Sequence, residues 1–292
     1  MKKYWPIMVL IAVAACSRPT EEGGGRKVIQ NKGSDTLVNV AQAWAENYKE
    51  INPNVAVAVT GGGSGTGISA MINGTVDIAN ASRKMKDKEI EMAQGNGIDP
   101  IEWVVGYDAL AVYVHLDNPV EGFTLGQLAE IYGEHGVTDT WDQIDIEIPG
   151  CDSNEIVRVS RQNNSGTYVY FKEAVLGKER DYRLGSRDMH GSKDVVDLVL
   201  NTPCAIGYSG LAYATPEVRT PCVATEEGGD CIAPSMATAI DRSYPVARPL
   251  FMYTAGQPEG AIKEYLDWIL SDEGQCIIQN KGYAPVRDVA CG

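Results

Sequence analysis

The sequence predicts an α/β chain with mostly parallel sheets, and three observations carry that prediction. Apolar strand-like runs alternate with amphipathic stretches, the connections are rich in glycine and hydroxyl residues, and 292 residues are enough for about two domains. A composition of 44% hydrophobic and 22% charged residues is that of a globular chain rather than a disordered one.

The elements follow in order. Lys27–Asn31 (KVIQN) reads as a strand, and Gly33-Ser34-Asp35-Thr36 opens a helix with Leu37, Val40, Ala41, Trp44, Ala45 and Tyr48 on one apolar face. Asn52-Pro53 ends it. Val55–Thr60 is the second strand, Thr60–Ser69 (TGGGSGTGIS) a glycine-rich loop, and Ile68, Met71 and Ile72 mark a short helix. Val76–Asn80 is the third strand and Trp103–His115 the longest β-rich segment, passing from one domain toward another. Beyond it Leu125–Tyr132 reads as helix, Ile156–Ser160 as strand and Thr167–Leu176 as helix. The apolar run Val195–Leu200 follows. Ala205–Ser209 and Arg248–Tyr253 are strand-like, Pro216–Pro234 is a Pro-, Gly- and Cys-rich excursion, and Ala261–Leu270 is expected as the last helix.

Before this fold lies an export signal. Lys2 and Lys3 precede the apolar Trp5–Ala12, and Val13-Ala14-Ala15 places small residues before Cys16. The stretch is short for a membrane span. Ser17–Lys27 reads as a tether. Without Cys16, six cysteines remain, an even number in an oxidising compartment: Cys151, Cys204, Cys222, Cys231, Cys276 and Cys291. Six allow fifteen pairings, and the sequence does not choose among them. Cys222–Cys231 and Cys276–Cys291 are the cheapest loops to close, which leaves Cys151 for Cys204; free thiols are the alternative.

Charge removes one class of function. Lys and Arg number 25 against 39 Asp and Glu, a net −14, and loss of Lys2 and Lys3 with the signal makes the chain more acidic still. Such a surface repels nucleic acid. An anion site on this chain must work through local dipoles and a few placed arginines.

A short recurrence supplies candidates. Gly33-Ser34-Asp35-Thr36, Gly63-Ser64-Gly65-Thr66 and Asn164-Ser165-Gly166-Thr167 share the pattern [GN]-S-x-T, each after a strand and before a helix. A helix start offers unpaired N–H groups and partial positive charge, Ser and Thr add hydroxyl donors, and glycine permits close approach. One copy alone is an ordinary N-cap. Three copies can converge on one oxyanion. Arg161, at a strand end before Ser165, can offer its fork to two oxygens. Arg83 follows Ser82 just past the third strand, with a carboxylate ion pair as its alternative role. Arg158, alternating with Val157 and Val159, is expected to be solvated.

Catalytic readings fit poorly. Gly62 to Gly67 has P-loop spacing, but Ile68 stands where lysine is required. Thr66 breaks both the dinucleotide fingerprint and a nucleophile elbow around Ser64, and Leu211 breaks the elbow around Ser209. His115, His135 and His190 are far apart, without metal-ligand spacing. No metal, cofactor or catalytic residue is expected.

With these residues in place, the chain resembles the phosphate-binding protein family (PstS type) of bacterial phosphate ABC importers. The likeness spans about Lys27 to Val286. It rests on KGSDT with Ala43-Trp44-Ala45, on VTGGGSGTGISAMINGTVDIANASR and on RQNNSGTYVYFKE, with lesser support from AIGYSGLAY, YPVARPLFMYTAG and LSDEGQ–GYAPV. It implies the type II periplasmic-binding-protein fold: two α/β lobes, each a mostly parallel sheet flanked by helices, joined by crossover strands and closing over one anion. The expected division is a signal at 1–15, a tether at 16–26, one lobe at 27–107 plus 246–292 and the other at 108–245. It implies phosphate binding through Ser34, Thr36, Ser64, Ser82, Arg161, Ser165, Gly166 and Thr167, without catalysis. Cys16 sits as in a lipobox, implying a monomeric exported lipoprotein, periplasmic or at the cell surface, that serves a membrane permease. One departure matters: the family's aspartate after the A-S pair, which accepts a phosphate proton and rejects sulfate, is Arg83 here. Asp35 is the candidate replacement and Asp108 a weaker one. Binding of another oxyanion (sulfate, molybdate or tungstate) is the alternative, and a secreted phosphatase or hydrolase using Ser64 or Ser165 is a further one.

Overall fold

A computed structural model describes residues 26–291. The proposed signal, Cys16 and most of the tether lie outside the described residues. A nine-stranded sheet runs through the described chain in the order β2 (Val55–Thr60), β1 (Lys27–Gly33), β3 (Ile78–Ala81), β11 (Ala247–Ala255), β4 (Pro100–His115), β8 (Ala205–Gly210), β6 (Val157–Arg161) and β7 (Arg187–Met189), with β9 (Val218–Arg219) added on β4.

Its first end is built from β1 (Lys27–Gly33), β2 (Val55–Thr60) and β3 (Ile78–Ala81), with β1 parallel to both neighbours. The connecting helices are α1 (Val38–Ile51) and α2 (Ser64–Ile72), and α3 (Asp87–Gly95) follows β3. Helix α1 begins two residues after the GSDT motif; Asp35–Leu37 form a turn. Its apolar spacing buries Val40, Ala41, Trp44 and Tyr48, as the periodicity predicts. Trp44 is fully buried and donates its indole N–H to Gly274 O at 2.7 Å, tying α1 to α9 (Asp272–Asn280). That helix corrects the sequence reading, in which α8 (Gly260–Ile269) came last. Ser271 restarts the chain as an N-cap, accepting from Gly274 N, directly after α8 ends.

At the other end lie β6 (Val157–Arg161), β7 (Arg187–Met189) and β8 (Ala205–Gly210), with β6 parallel to both. Helices α4 (Leu125–Tyr132), α5 (Gly166–Phe171, continued as a π-helical turn through Leu176), α6 (Ser192–Leu200) and α7 (Met236–Ile240) belong to this part. Short strands β5 (Gly122–Thr124) and β10 (Cys222–Ala224) pair beside it, and β9 is Val218–Arg219. The parallel pairing breaks only in the middle. There β4 (Pro100–His115) and β11 (Ala247–Ala255) run antiparallel to each other, β11 antiparallel to β3 and β4 antiparallel to β8.

Both long strands feed two cores. Val105 of β4 and Leu250 and Met252 of β11 pack with Ile29, Trp44 and Tyr265, whereas Ala109, Leu110 and Val112 pack with Leu128, Trp141, Phe171 and Tyr208. The chain is thus two lobes linked through β4 and β11, with a register shift between Leu250 and Phe251 at the passage. Three disulfides form, Cys151–Cys204, Cys222–Cys231 and Cys276–Cys291. Arg158 corrects another expectation. Its side chain is only 11% exposed and pairs with Asp139, because β6 is covered there by the segment bearing that carboxylate. Among the described residues no helix is long and apolar enough to cross a membrane.

Candidate functional site

The three recurring motifs meet where the lobes touch. Ser34, Thr36, Ser64, Ser82, Ser165 and Thr167 are all buried. The hydroxyls of Ser34, Ser82 and Ser64 form one group and those of Thr36 and Thr167 another, and Arg248 joins the two through the threonine oxygens and the Ser82 carbonyl. Ser34 donates to Ser82 Oγ at 3.0 Å, and Ser82 Oγ lies 3.4 Å from Ser64 Oγ. Across the lobe boundary, Thr36 Oγ1 and Thr167 Oγ1 are 3.0 Å apart. Arg248 Nη2 donates to both threonine oxygens, at 3.2 and 3.1 Å, and Nη1 donates to Ser82 O at 3.3 Å.

The helix starts divide the roles. At α5, Ser165 is an ordinary N-cap, its oxygen accepting from Thr167 N at 3.1 Å. At α1 and α2 no side chain caps the helix, so the hydroxyls of Ser34, Thr36 and Ser64 are turned to other partners. Ser64 Oγ accepts from Ser82 N at 3.0 Å. The Thr36 carbonyl in turn accepts from Tyr283 OH. Gly166 is where the second lobe reaches the first. A Cβ there would stand 2.3 Å from Ser64 Oγ and 2.6 Å from Ser82 Oγ, so a larger residue would have to push both hydroxyls out of their places.

Two buried arginine–carboxylate pairs frame the cluster. Arg248 on β11 donates Nε and Nη2 to Asp108 Oδ2 on β4, at 3.0 and 2.8 Å, from the directly paired position of the neighbouring strand. Leu211 N donates to Asp108 Oδ1 at 3.2 Å. Burial pushes the Asp108 carboxyl up from its ordinary value, against the opposing pull of the Arg248 charge and hydrogen bonds. Arg161 donates Nη2 to Asp35 Oδ2 at 3.1 Å and to His190 O at 2.8 Å, Nη1 to Ser192 Oγ at 3.0 Å, and Nε to Met189 O at 3.3 Å. Burial lowers its pKa, Asp35 works against that shift, and the charge of Arg248 adds to it. Two guanidinium groups are therefore held within electrostatic reach of one another, an arrangement that a shared anion relieves.

The remaining candidates fall as follows. Asp35 sits between two hydroxyl residues, with Oδ1 accepting from Gly62 N at 2.8 Å and Oδ2 from Arg161, and each oxygen keeps a lone pair. Arg83 is buried beside Ser82, but its fork meets Glu89 on α3, Nη1–Oε2 at 2.8 Å and Nη2–Oε1 at 2.7 Å. Asp108 faces Arg248 rather than the hydroxyls. Arg248, within YPVARPLFMYTAG, is a site residue that the sequence motifs do not single out. The available signal was an arginine inside an otherwise apolar strand, a position that demands a buried partner.

The arrangement can hold an oxyanion by hydroxyl, backbone and guanidinium donors. Ser64 Oγ and Ser165 Oγ both accept from backbone N–H groups, which is a positioning geometry rather than activation of a nucleophile. Among the described residues no group of three or more His, Cys, Asp and Glu side chains could hold a metal ion.

Comparison with known proteins agrees with this reading. A family model described as "PBP superfamily domain" matches residues 19–273. The chain is 35% identical over 270 residues to the phosphate-binding protein PstS of Pseudomonas aeruginosa, covering 88% of this chain and 83% of that protein. It is 32% identical over 294 residues to protein SphX of Synechococcus elongatus, covering 96% and 84%. Among solved structures, a putative phosphate ABC transporter substrate-binding protein with bound phosphate from Clostridium perfringens superposes with a TM-score of 0.78. Its identity is 29%, covering 89% of this chain and all of that one. An ABC-type phosphate transport receptor from Vibrio cholerae gives 0.69 at 25% identity, covering 88% and 99%. The chain belongs to the periplasmic-binding-protein superfamily and, within it, to the PstS-type family of phosphate-binding proteins.

Proposed function

We propose that this chain captures inorganic phosphate between its lobes and delivers it to the membrane permease of an ABC importer. The observation that carries this reading is the hydroxyl cluster assembled from both lobes and the crossover strands around Arg248. Ser34, Thr36, Ser64, Ser82 and Thr167 supply hydroxyl donors, Gly166 supplies the backbone N–H at the α5 start, and Arg161 and Arg248 supply charge. Each charge-assisted hydrogen bond contributes about 1.5–3 kcal/mol before ordering costs, so several converging donors bind tightly despite the acidic exterior. No bond is made or broken in this role. One lobe is 27–107 plus 246–292 and the other 108–245, and a lipid anchor at Cys16 holds the exported monomer, periplasmic or at the cell surface, to a bacterial membrane.

Discrimination falls to Asp35. A protonated phosphate oxygen can donate to a carboxylate, whereas sulfate has no proton to give and meets repulsion. Arg83 takes no part in that selection, because its fork is occupied by Glu89. The test is calorimetric titration with phosphate, sulfate and molybdate, on wild type and Asp35→Asn. Wild type should bind phosphate preferentially and the variant should lose much of its preference over sulfate. Tighter molybdate or sulfate binding by the wild type would replace phosphate as ligand; equal preference in both proteins would remove Asp35 from the role.

A further inference from the structure

The glycine loop that precedes α2 does not keep its helix-terminal N–H groups free. Gly65 N donates to Asn164 O at 2.9 Å, and Asn164 Nδ2 donates back to Gly62 O at 2.9 Å and to Thr66 Oγ1 at 3.3 Å. One residue of the second lobe thus clamps the loop of the first from two sides. The fit is close: a Cβ on Gly63 would lie 2.7 Å from Asn164 O, and one on Gly65 would lie 3.2 Å from it. Gly63 N also donates to Gly33 O at 3.0 Å, so the clamped loop is tied to the strand end that carries Ser34.

Two contacts between the lobes then share one peptide segment. Gly62 offers its N–H to Asp35 Oδ1, and Asp35 Oδ2 meets Arg161. Gly62 offers its carbonyl to Asn164, three residues beyond Arg161 on the same segment. Arg161, Asp35, Gly62 and Asn164 therefore close a ring of contacts across the lobe boundary. Its Asn164 arm consists of contacts that cross the lobe boundary to the glycine loop.

We propose that Asn164 is a positioning residue, a latch that stabilises the shut lobes and so sets how long the anion is retained. The proposal rests on the phosphate-capture reading for its natural ligand. A group that interacts only with the closed state shifts the open–closed equilibrium by its own differential free energy. Capture starts from open lobes, where these hydrogen bonds are absent, so the latch acts on release and leaves capture alone.

The test is stopped-flow capture and release of inorganic phosphate by the full chain and by Asn164→Ala. Removing the two side-chain hydrogen bonds should speed release about ten-fold with capture unchanged. Unchanged release in a variant with wild-type melting temperature overturns the proposal, as does a loss confined to capture. Should Asn164→Ala fold poorly, Thr66→Val removes only the weaker contact and should speed release by a smaller factor; no acceleration there also counts against the latch. A wild type that binds no phosphate would sink the functional reading instead. In that event the same release measurement is made with sulfate or molybdate, whichever the wild type binds: Asn164→Ala should release it about ten-fold faster, and equal rates overturn the latch.

Discussion

The two buried ion pairs beside the hydroxyl cluster look alike and belong to different parts of the machine. Arg248 and Asp108 stand on neighbouring strands of the crossover, 0% and 1% exposed, at directly paired positions. Arg161 and Asp35 stand on opposite lobes, 1% and 12% exposed. The first pair is made by strand pairing inside the sheet. The second crosses the lobe boundary with no strand pairing behind it. A buried pair on the hinge is thus a structural commitment, while one across the cleft is a conformational signal. Tyr170 of α5 ties the second lobe to the first of these pairs, with its hydroxyl on Ala247 O and its ring 5.8 Å from the Arg248 guanidinium carbon.

Substitutions can break this contrast. The largest effect is expected at the hinge. Arg248→Ala leaves Asp108 buried and uncompensated and should cost about 3–5 kcal/mol of unfolding free energy, with anion binding lost as well. Urea denaturation measures the first and calorimetry the second. A variant of wild-type stability would mean that the pair is not structural.

Arg161→Ala should reverse the balance. Affinity for phosphate should fall about 10- to 100-fold, in line with loss of a charge-assisted hydrogen bond, while stability falls less than in the hinge variant. Unchanged affinity in a titration would take Arg161 out of the site and erase the distinction between the pairs.

Arg83 and Glu89 sharpen the comparison from outside the cluster, and the effect is the smallest. Burial disfavours the Glu89 anion, but the Arg83 fork, the Lys86 N–H and the nearby cations outweigh it and hold its pKa below the ordinary glutamate value. A carboxylate with a lowered folded pKa contributes stability that is present above its unfolded value and lost as pH falls through the folded one. Glu89→Gln should therefore flatten the acid limb of the stability–pH curve below about pH 4.5 and leave phosphate selectivity intact. A change in selectivity would bring Arg83 back into the anion site.

How far the sequence reaches can be judged from particular residues. The periodicity from Val40 to Tyr48 and the alternation of strands and helices gave the lobes, because side-chain direction repeats locally with each element. The reading missed α9, whose acidic, polar first turn hides it, and α3, whose sequence DKEIEMAQG presents only a weak apolar face. Of the site, the three [GN]-S-x-T motifs were visible because helix-start chemistry is written in consecutive residues. Cysteine number and spacing ordered the disulfides by loop cost without selecting a pairing.

By itself, then, the sequence determined the element types, the helix-start donors and the family to which the chain belongs. Tertiary structure alone decided which partner each charged or hydroxyl group received. Ser165 became a cap while Ser64 did not, Arg83 was turned to Glu89, and Asp108 was joined to Arg248 across 140 residues. The physical reason is one of range. Propensity and capping depend on near neighbours in the chain, whereas a buried charge takes its partner from whatever strand the fold lays beside it.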